Sequence, residues 1–411
     1  MPLVDEKQPV RPARAESRQS FSLLWLAATA GYFAGWIMKL ALPIVAARMT
    51  TSPLLVSGVT FALTAPWLLF GLQAGALADR MDRRKLLLVA AVGRLFALGL
   101  LALAVVLRVV NLPLLYAVAF ILGSAEPLSD TSAAALVPML VSPGRLEWAN
   151  SRLIGAQQVI EVIAPPIGGA VTVVGLALAV GLGSAGYIAA LVALLLLRGA
   201  FRPARAARRH LAADMVEGVR FLWQQPALRA MSLMAAVINA CWTAWLAVLV
   251  LYALDPGPLR LTAFQYGLLL TGSGIGGMIG ALLALPVQRW LGRRWLIGLN
   301  ILGNALLFVA PALTTNAWLI GAAIIVGGIG GPLWGIEAAS LQQRLAPPGL
   351  QGRVAAAYRF LGLGAEAIGP VIGGVVGQSL GIPAVFVGGA LLTALMLIPF
   401  FRVVTEQALS A

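Results

Sequence analysis

Stretches of about 20 apolar residues, each long enough to cross a bilayer core as a helix, recur along this chain almost from end to end. They fall near 21–47, 53–78, 86–109, 112–140, 149–175 and 178–200. After a basic interval they resume near 227–252, 262–287, 294–313, 316–345, 353–377 and 381–402. Inside hydrocarbon the backbone must satisfy its own hydrogen bonds, so each run reads as a helix. The chain is 60% apolar and 11% charged, against roughly 45–50% and 25% in soluble domains. No soluble core hides that much apolar surface. A soluble enzyme, a secreted disulfide scaffold and a DNA-binding protein are therefore excluded.

The formal charge of +14 has the same explanation. Lys and Arg concentrate in the tails and in every second connection. Only Arg48, Arg108 and Arg260 lie in the alternate connections, with Lys39 and Arg94 inside spans. Basic loops resist translocation, and this asymmetry sets orientation. The charge thus indicates a membrane partner and no nucleic acid. Twelve spans put both termini in the cytoplasm, and the expected location is a bacterial inner membrane. The first apolar run lacks a small-residue cleavage site and reads as an anchor. The single cysteine, Cys241, excludes an intramolecular disulfide, and the single histidine, His210, reads as a solvated bystander.

Five regions follow: a cytoplasmic tail (1–20), a six-span bundle (21–200), a linker (201–226), a second six-span bundle (227–402) and a short tail (403–411). In the linker, Arg202, Arg205, Arg208 and Arg209 precede Leu211, Met215, Val219 and Leu222 at near-helical spacing, with Asp214, Glu217 and Arg220 between them. The pattern reads as an amphipathic helix on the inner membrane surface, basic face toward headgroups, or as a solvated tether. The two bundles repeat at an offset of 205 residues. Pro127-Leu128 returns as Pro332-Leu333, Pro143-Gly144 as Pro348-Gly349 and Glu161 as Glu366. Pro165, Gly168 and Gly169 return as Pro370, Gly373 and Gly374. Parallel repeats of this kind are the architecture of a rocking transporter, with its site at the midplane between them.

Gly75 to Lys85 reads G-A-L-A-D-R-M-D-R-R-K. Its glycine permits close helix approach, its Arg cluster holds the loop in the cytoplasm, and the Asp79 carboxylate can face a neighbouring helix N-terminus. A degenerate copy spans 280–294, with Ala284 where Asp79 would be. Read bare, this is a basic topogenic loop. It also resembles the loop signature of the major facilitator superfamily, and the twelve spans and central linker extend the resemblance over the whole chain. The resemblance implies an all-α fold of two six-helix bundles related by pseudo-twofold symmetry. It also implies a gate-latch role for Gly75, Asp79, Arg80, Arg83 and Arg84. Asp82 stands where many members have glycine.

Ala164-Pro165-Pro166-Ile167-Gly168-Gly169 and Gly369-Pro370-Val371-Ile372-Gly373-Gly374 share a P-x-x-G-G core. Proline kinks a helix and paired glycines let another helix approach, so ordinary packing accounts for both runs. The resemblance adds that such a motif in the fifth span is typical of exporters. Residues 41–43, 149–155 and the stretch ending at Arg353 resemble the branch containing macrolide-efflux and enterobactin-export proteins.

Five acids, Glu126, Asp130, Glu161, Glu337 and Glu366, fall within spans. Each costs about 2.5–3.5 kcal/mol at a helix centre, on the order of 10 kcal/mol together. They must face water, a partner or a proton. Glu126 and Asp130 share one face of the fourth span at i, i+4, and Trp334 and Glu337 share a face of the tenth at i, i+3. Tyr32, Trp36, Lys39 and Pro43 form a stripe on the first span. Asn239, Trp242 and Trp245 form one on the seventh. The resemblance makes these four spans the cavity lining. Because a desolvated carboxylate holds its proton to higher pH, Glu126 or Asp130 is the expected proton carrier, with Lys39 as charge partner or, alternatively, a structural pair for Glu126. The acid that many relatives carry in the first span is absent near Gly35, which puts that burden on the fourth span. Glu161 and Glu366 precede the packing motifs and suit a structural or gating role.

The aromatic stripes suit a large, amphipathic and even cationic small molecule through stacking and cation–π contact, or else they are packing. Trp25, Trp67, Trp148, Trp290, Trp295 and Trp318 suit the interfaces. The expected function is proton-antiport export of a hydrophobic, drug-like molecule by a monomer that needs no cofactor beyond the coupling proton. Siderophore or natural-product export stands close behind, with a lysophospholipid carrier or proton-coupled importer further off. No Walker loop occurs to bind ATP. A membrane enzyme lacks a metal-ligand cluster or a nucleophile–base set here, and a transporter-derived sensor lacks an appended soluble domain.

Overall fold

The computed structural model describes residues 18–199, 201–202, 211–347 and 350–403. The tails at 1–17 and 404–411, Arg205, Arg208, Arg209, His210 and the Pro348-Gly349 repeat lie outside the described residues. Twelve helices are long and apolar enough to cross a membrane. The first six are α1 (Arg18–Met49), α2 (Pro53–Arg80), α3 (Arg83–Leu107), α4 (Leu112–Leu140), α5 (Leu146–Val174) and α6 (Leu176–Leu196). A linker helix α7 (Leu211–Gln224) separates them from α8 (Pro226–Ala253), α9 (Ala263–Leu291), α10 (Arg293–Leu313), α11 (Ala317–Leu345) and α12 (Gln351–Leu380). The last span is broken into α13 (Ile382–Leu395) and α14 (Leu397–Val403).

Helix starts follow local chemistry. The side chains of Ser52, Asn111 and Asn316 accept hydrogen bonds from the first-turn amides of α2, α4 and α11. Thr262 and Gln265 form a reciprocal capping box on α9. All four caps lie on the face opposite the linker, termed here the far face. The turn between α9 and α10 uses Gly292 at φ 82°, a backbone region that only glycine enters without strain.

Packing repeats with the sequence. In the first bundle α1 packs on α5 and α6, α2 on α4, and α3 on α4 and α6. In the second, α8 packs on α12 and α13, α9 on α11, and α10 on α11 and α13. Each pair in the first list maps onto one in the second under the same pseudo-twofold relation. The two main cross-bundle contacts, α2 with α12 and α5 with α9, exchange under it.

The core has a different character at each end. Over the far half one continuous apolar cluster joins both bundles, from Ile37, Leu63 and Leu115 to Trp245, Leu270 and Phe308. Toward the linker face it divides. Phe21, Leu87, Leu136 and Leu194 form one cluster in the first bundle. Leu222, Leu228, Ile297, Leu341 and Phe400 form another in the second.

The linker is helical over α7, but its seat differs from the expected one at the lipid surface. Leu222 is fully buried in the second bundle's core, with Val219 and Phe221 packed against it. Glu217 pairs with Arg353 at the start of α12. A Cβ at Gly218 would lie 2.4 Å from the Arg353 carbonyl oxygen, so glycine is what lets the two helices touch. Protein covers much of the apolar stripe here. Val216 and Trp223 remain exposed.

Candidate transport site

Two of the intramembrane acids, Glu126 and Glu161, meet hydrogen-bonding partners from other helices. Lys39 Nζ of α1 lies 2.7 Å from Glu126 Oε1 of α4, and both side chains stay partly solvent-accessible. Pro127 follows Glu126 within α4. Trp67 of α2 donates through Nε1 to the second carboxylate oxygen of Glu126 at 3.4 Å. The indole expected at a membrane interface therefore belongs to the charge site. Asp130 sits one turn along α4 and is exposed. It lies in the field of Glu126, Lys39, Arg94 and, from the other bundle, Arg359. The Arg94 guanidinium of α3 stands 5.3 Å from the ring of Tyr187 on α6.

Two further acids flank this pair. Tyr32, expected on the cavity wall, donates instead to Glu161 Oε1 at 2.7 Å, and Gln158 donates to Oε2 at 3.4 Å. The same turn of α5 lies against α9: a Cβ at Gly274 would come 2.8 Å from the Glu161 carbonyl carbon. Trp36 is half-buried one turn from Tyr32. Glu366 of α12, half-buried, faces the field of Lys39 and Glu126 across the bundle boundary.

A cavity of about 600 Å³ opens within the second bundle, walled by α8, α9, α10, α11 and α12. Asn239, Trp242 and Trp334 line it, as their stripes predict. Glu337 does not. It is 3% exposed and points away from the lining, although it is three residues from Trp334. Trp245 is also core, stacked on Trp242 with ring centroids 5.5 Å apart and touching Phe308 and Phe386. Trp334 Nε1 donates to the Tyr358 hydroxyl at 2.7 Å, and the Asn239 amide donates to the Gly362 carbonyl at 3.2 Å. Asn300, Asn304, Gln342, Tyr358 and Arg359 add to the polar lining. None of these five was singled out from the sequence. Asn300 and Asn304, an i, i+4 amide pair in an apolar helix, carried a readable signal.

The loop motif is a brace inside the first bundle. The helix-N-terminus contact expected of Asp79 is made by Asp82. This side chain is 8% exposed and accepts from the Arg84, Lys85 and Phe201 amides at 3.0, 3.4 and 3.1 Å. Arg83 donates to the Ala78 and Ala135 carbonyls, and Arg84 to those of Leu194 and Leu195 at the end of α6. Asp79 and Arg80 are exposed, and Asp79 makes no hydrogen bond or ion pair with a described residue. Nothing lies within 4 Å of a Cβ placed at Gly75.

The P-x-x-G-G glycines divide their work symmetrically. Gly168 approaches Leu40 and Ile37 of α1, and Gly373 approaches Ala244 of α8, each within its own bundle. Gly169 meets the backbone of Ala263 on α9, and Gly374 meets Ser57 on α2, each across the boundary. Gly369 packs on Ala240 and Thr243 of α8, while the carbonyl of Pro165 contacts Gly267 of α9. Pro370 lies within α12 next to Gly369. The Ser52 hydroxyl donates to Gln378 Oε1 at 2.8 Å, and Thr271 to the Val162 carbonyl at 3.1 Å. These cross-bundle bonds and close approaches run from the far face to mid-height.

Known proteins share this arrangement. The multidrug efflux pump Tap of Mycolicibacterium fortuitum is 28% identical over 89% of this chain and 90% of its own length. The enterobactin exporter EntS of Shigella boydii is 26% identical over 89% and 87%. Among solved structures, the nucleoside transporter NupG aligns with a TM-score of 0.76 at 12% identity, covering 94% of this chain and 99% of its own. A bacterial homologue of the iron transporter ferroportin, in its inward-facing state, gives 0.72 at 17%, covering 93% and 98%. These last two speak to the fold alone. The protein is a transporter and not an enzyme. The sequence pattern of the transmembrane secretion effector family matches residues 12–410, and the chain belongs to that family of the major facilitator superfamily.

Proposed function

We propose that the protein exports a hydrophobic or amphipathic, drug-like small molecule across a bacterial inner membrane by proton antiport with alternating access. The linker face is the cytoplasmic one, because the basic connections lie there, and both termini share it. The two bundles (21–200 and 227–402) are the rocking bodies of a monomer in the lipid bilayer. The far-face seal is then the closed outer gate of a carrier open to the cytoplasm.

The observation that carries this reading is the Lys39–Glu126 pair, 2.7 Å long and partly wet, in the middle of a largely apolar bundle. A charge pair so placed is kept at a cost in stability, and a role in proton coupling accounts for its being there. Substrate enters from the linker face while Glu126 holds Lys39. After the molecule rocks, a proton arriving from outside neutralises Glu126, which frees Lys39, or Asp130; the emptied carrier returns and the proton leaves to the cytoplasm as the carboxylate ionises again. Glu161 and Glu366 sit where the bundles meet and act in gating. Asp79, exposed while the linker face is open, is free to latch when that face closes. No cofactor other than the proton enters the cycle.

Purified protein in proteoliposomes tests this. Substrate efflux should accelerate with an imposed pH gradient and collapse with a protonophore; flux indifferent to the gradient rejects antiport. Because one named relative exports enterobactin, a siderophore or other natural product is the second substrate reading. A deletion strain grown on antibiotics and in iron-limited medium separates the two by which condition inhibits it.

A further inference from the structure

We propose that the cavity of the second bundle selects aromatic anions, molecules with a planar ring system and a carboxylate, over aromatic cations. This inference rests on the cavity being the substrate chamber of the exporter and adds the charge class of its ligand. Aromatic walls alone favour a cation, and the stripes read that way in the sequence. The polar lining reverses the preference. Among the described residues no Asp or Glu lines the cavity, and the one formal charge in the lining is the guanidinium of Arg359.

Arg359 is exposed and forms no hydrogen bond with a described residue, so its planar fork is available for bidentate carboxylate binding. Asp130, across the bundle boundary, lies within its electrostatic reach. Glu337 is buried away from the lining. The neighbouring polar groups also present donors. The Tyr358 hydroxyl accepts from Trp334, which leaves its own proton for a ligand. The Asn300 amide opens on the same space without a described partner. Trp242 has one face stacked on Trp245 and meets the cavity with what remains. A chamber of about 600 Å³ falls in the size range of drug-like ligand sites. Its lining brings the rings of Trp242 and Trp334 and the guanidinium of Arg359 to one space.

The test uses full-length protein in nanodiscs and three probes with one ring system: 1-pyrenebutyrate, 1-pyrenebutanol and 1-pyrenebutyltrimethylammonium. Binding is read by energy transfer from tryptophan and corrected with empty discs. The butyrate should bind about tenfold more tightly than the ammonium, the scale of one charge-assisted hydrogen bond. Arg359→Gln should erase that gap by weakening the butyrate and leave the butanol unchanged, and Arg359→Lys, which keeps the charge without the fork, should restore it only in part. A wild-type protein that binds the ammonium as tightly as the butyrate overturns the proposal. So does a preference that survives Arg359→Gln, or no saturable binding of any probe. The charge preference in a protein that moves nothing in the proteoliposome assay sinks the export reading and spares this one. Gradient-driven flux without the preference does the reverse.

Discussion

Gly169→Ala adds one methyl group at the boundary between the bundles. The new Cβ would lie 2.2 Å from the Ala263 carbonyl oxygen, 2.9 Å from its carbon and 3.0 Å from the Phe264 Cα. Carbon and carbonyl oxygen approach no closer than about 3.3 Å without strain, so α5 and α9 must part by about 1 Å. Both obstructing groups are backbone and cannot rotate aside. Overpacking of this kind costs about 1–3 kcal/mol. The clash exists only while the far face is sealed, so the cost falls on that state and shifts the equilibrium about 5- to 150-fold away from it. Gly168→Ala is the control. Its Cβ would meet the ends of the Leu40 and Ile37 side chains at 3.2 and 3.4 Å, inside one bundle, and should leave the equilibrium where it is. The assay is disulfide cross-linking of Ser52→Cys with Gln378→Cys in a Cys241→Ser background, because those two positions already touch across the far face. Cross-linking should slow by the stated factor in Gly169→Ala and not in Gly168→Ala. Wild-type cross-linking in Gly169→Ala, with only the melting temperature lowered, would refute the assignment of this glycine to the moving boundary.

Glu126→Gln should remove the pH-gradient drive from efflux while downhill exchange persists, and Lys39→Gln should impair transport less when combined with it than alone; flux assays with and without a gradient decide both. Asp82→Ala deprives three amides of their acceptor and should lower unfolding stability by about 1–2 kcal/mol. Asp79→Asn should leave thermal stability unchanged and alter the balance of conformations. Gly218→Leu drives a side chain into the Arg353 backbone and should undock α7, read as faster hydrogen exchange over residues 211–224 with the transmembrane helices unaffected. Trp242→Ala should change the profile of exported compounds, and an unaltered profile would assign that ring to packing alone.

The spans were readable because lipid imposes one solution on an apolar run of about 20 residues. The structure moves their ends by a few residues in either direction. The bundle symmetry was equally legible, since Glu161 and Glu366, or Gly169 and Gly374, can share an offset only if the folds do. What the chain hid were contacts between residues far apart in it. Trp67 and Glu126 are 59 positions apart and Tyr32 and Glu161 are 129 apart, and helical spacing constrains neither. Helical phase likewise put Trp334 and Glu337 on one face, but a chamber narrower than that face admits only the first. Arg359 stands in the early turns of α12, where sequence alone gives no sign that its side chain lines the cavity. The Asp82 cap could have been read from an acid immediately before a long apolar helix. The stronger resemblance at Asp79 drew the expectation three residues away.

The glycine register has a mechanical consequence. Where Gly169 and Gly374 bring helices together, the nearest opposing atoms are main chain and one small hydroxyl. A joint of that kind can pivot without rotamers having to change, and its resistance to motion is low at every intermediate angle. The sister glycines, Gly168 and Gly373, fasten each half to its own first helix, so torque applied at the ligand chamber is delivered to the pivot by a stiff lever and is not dissipated in bending.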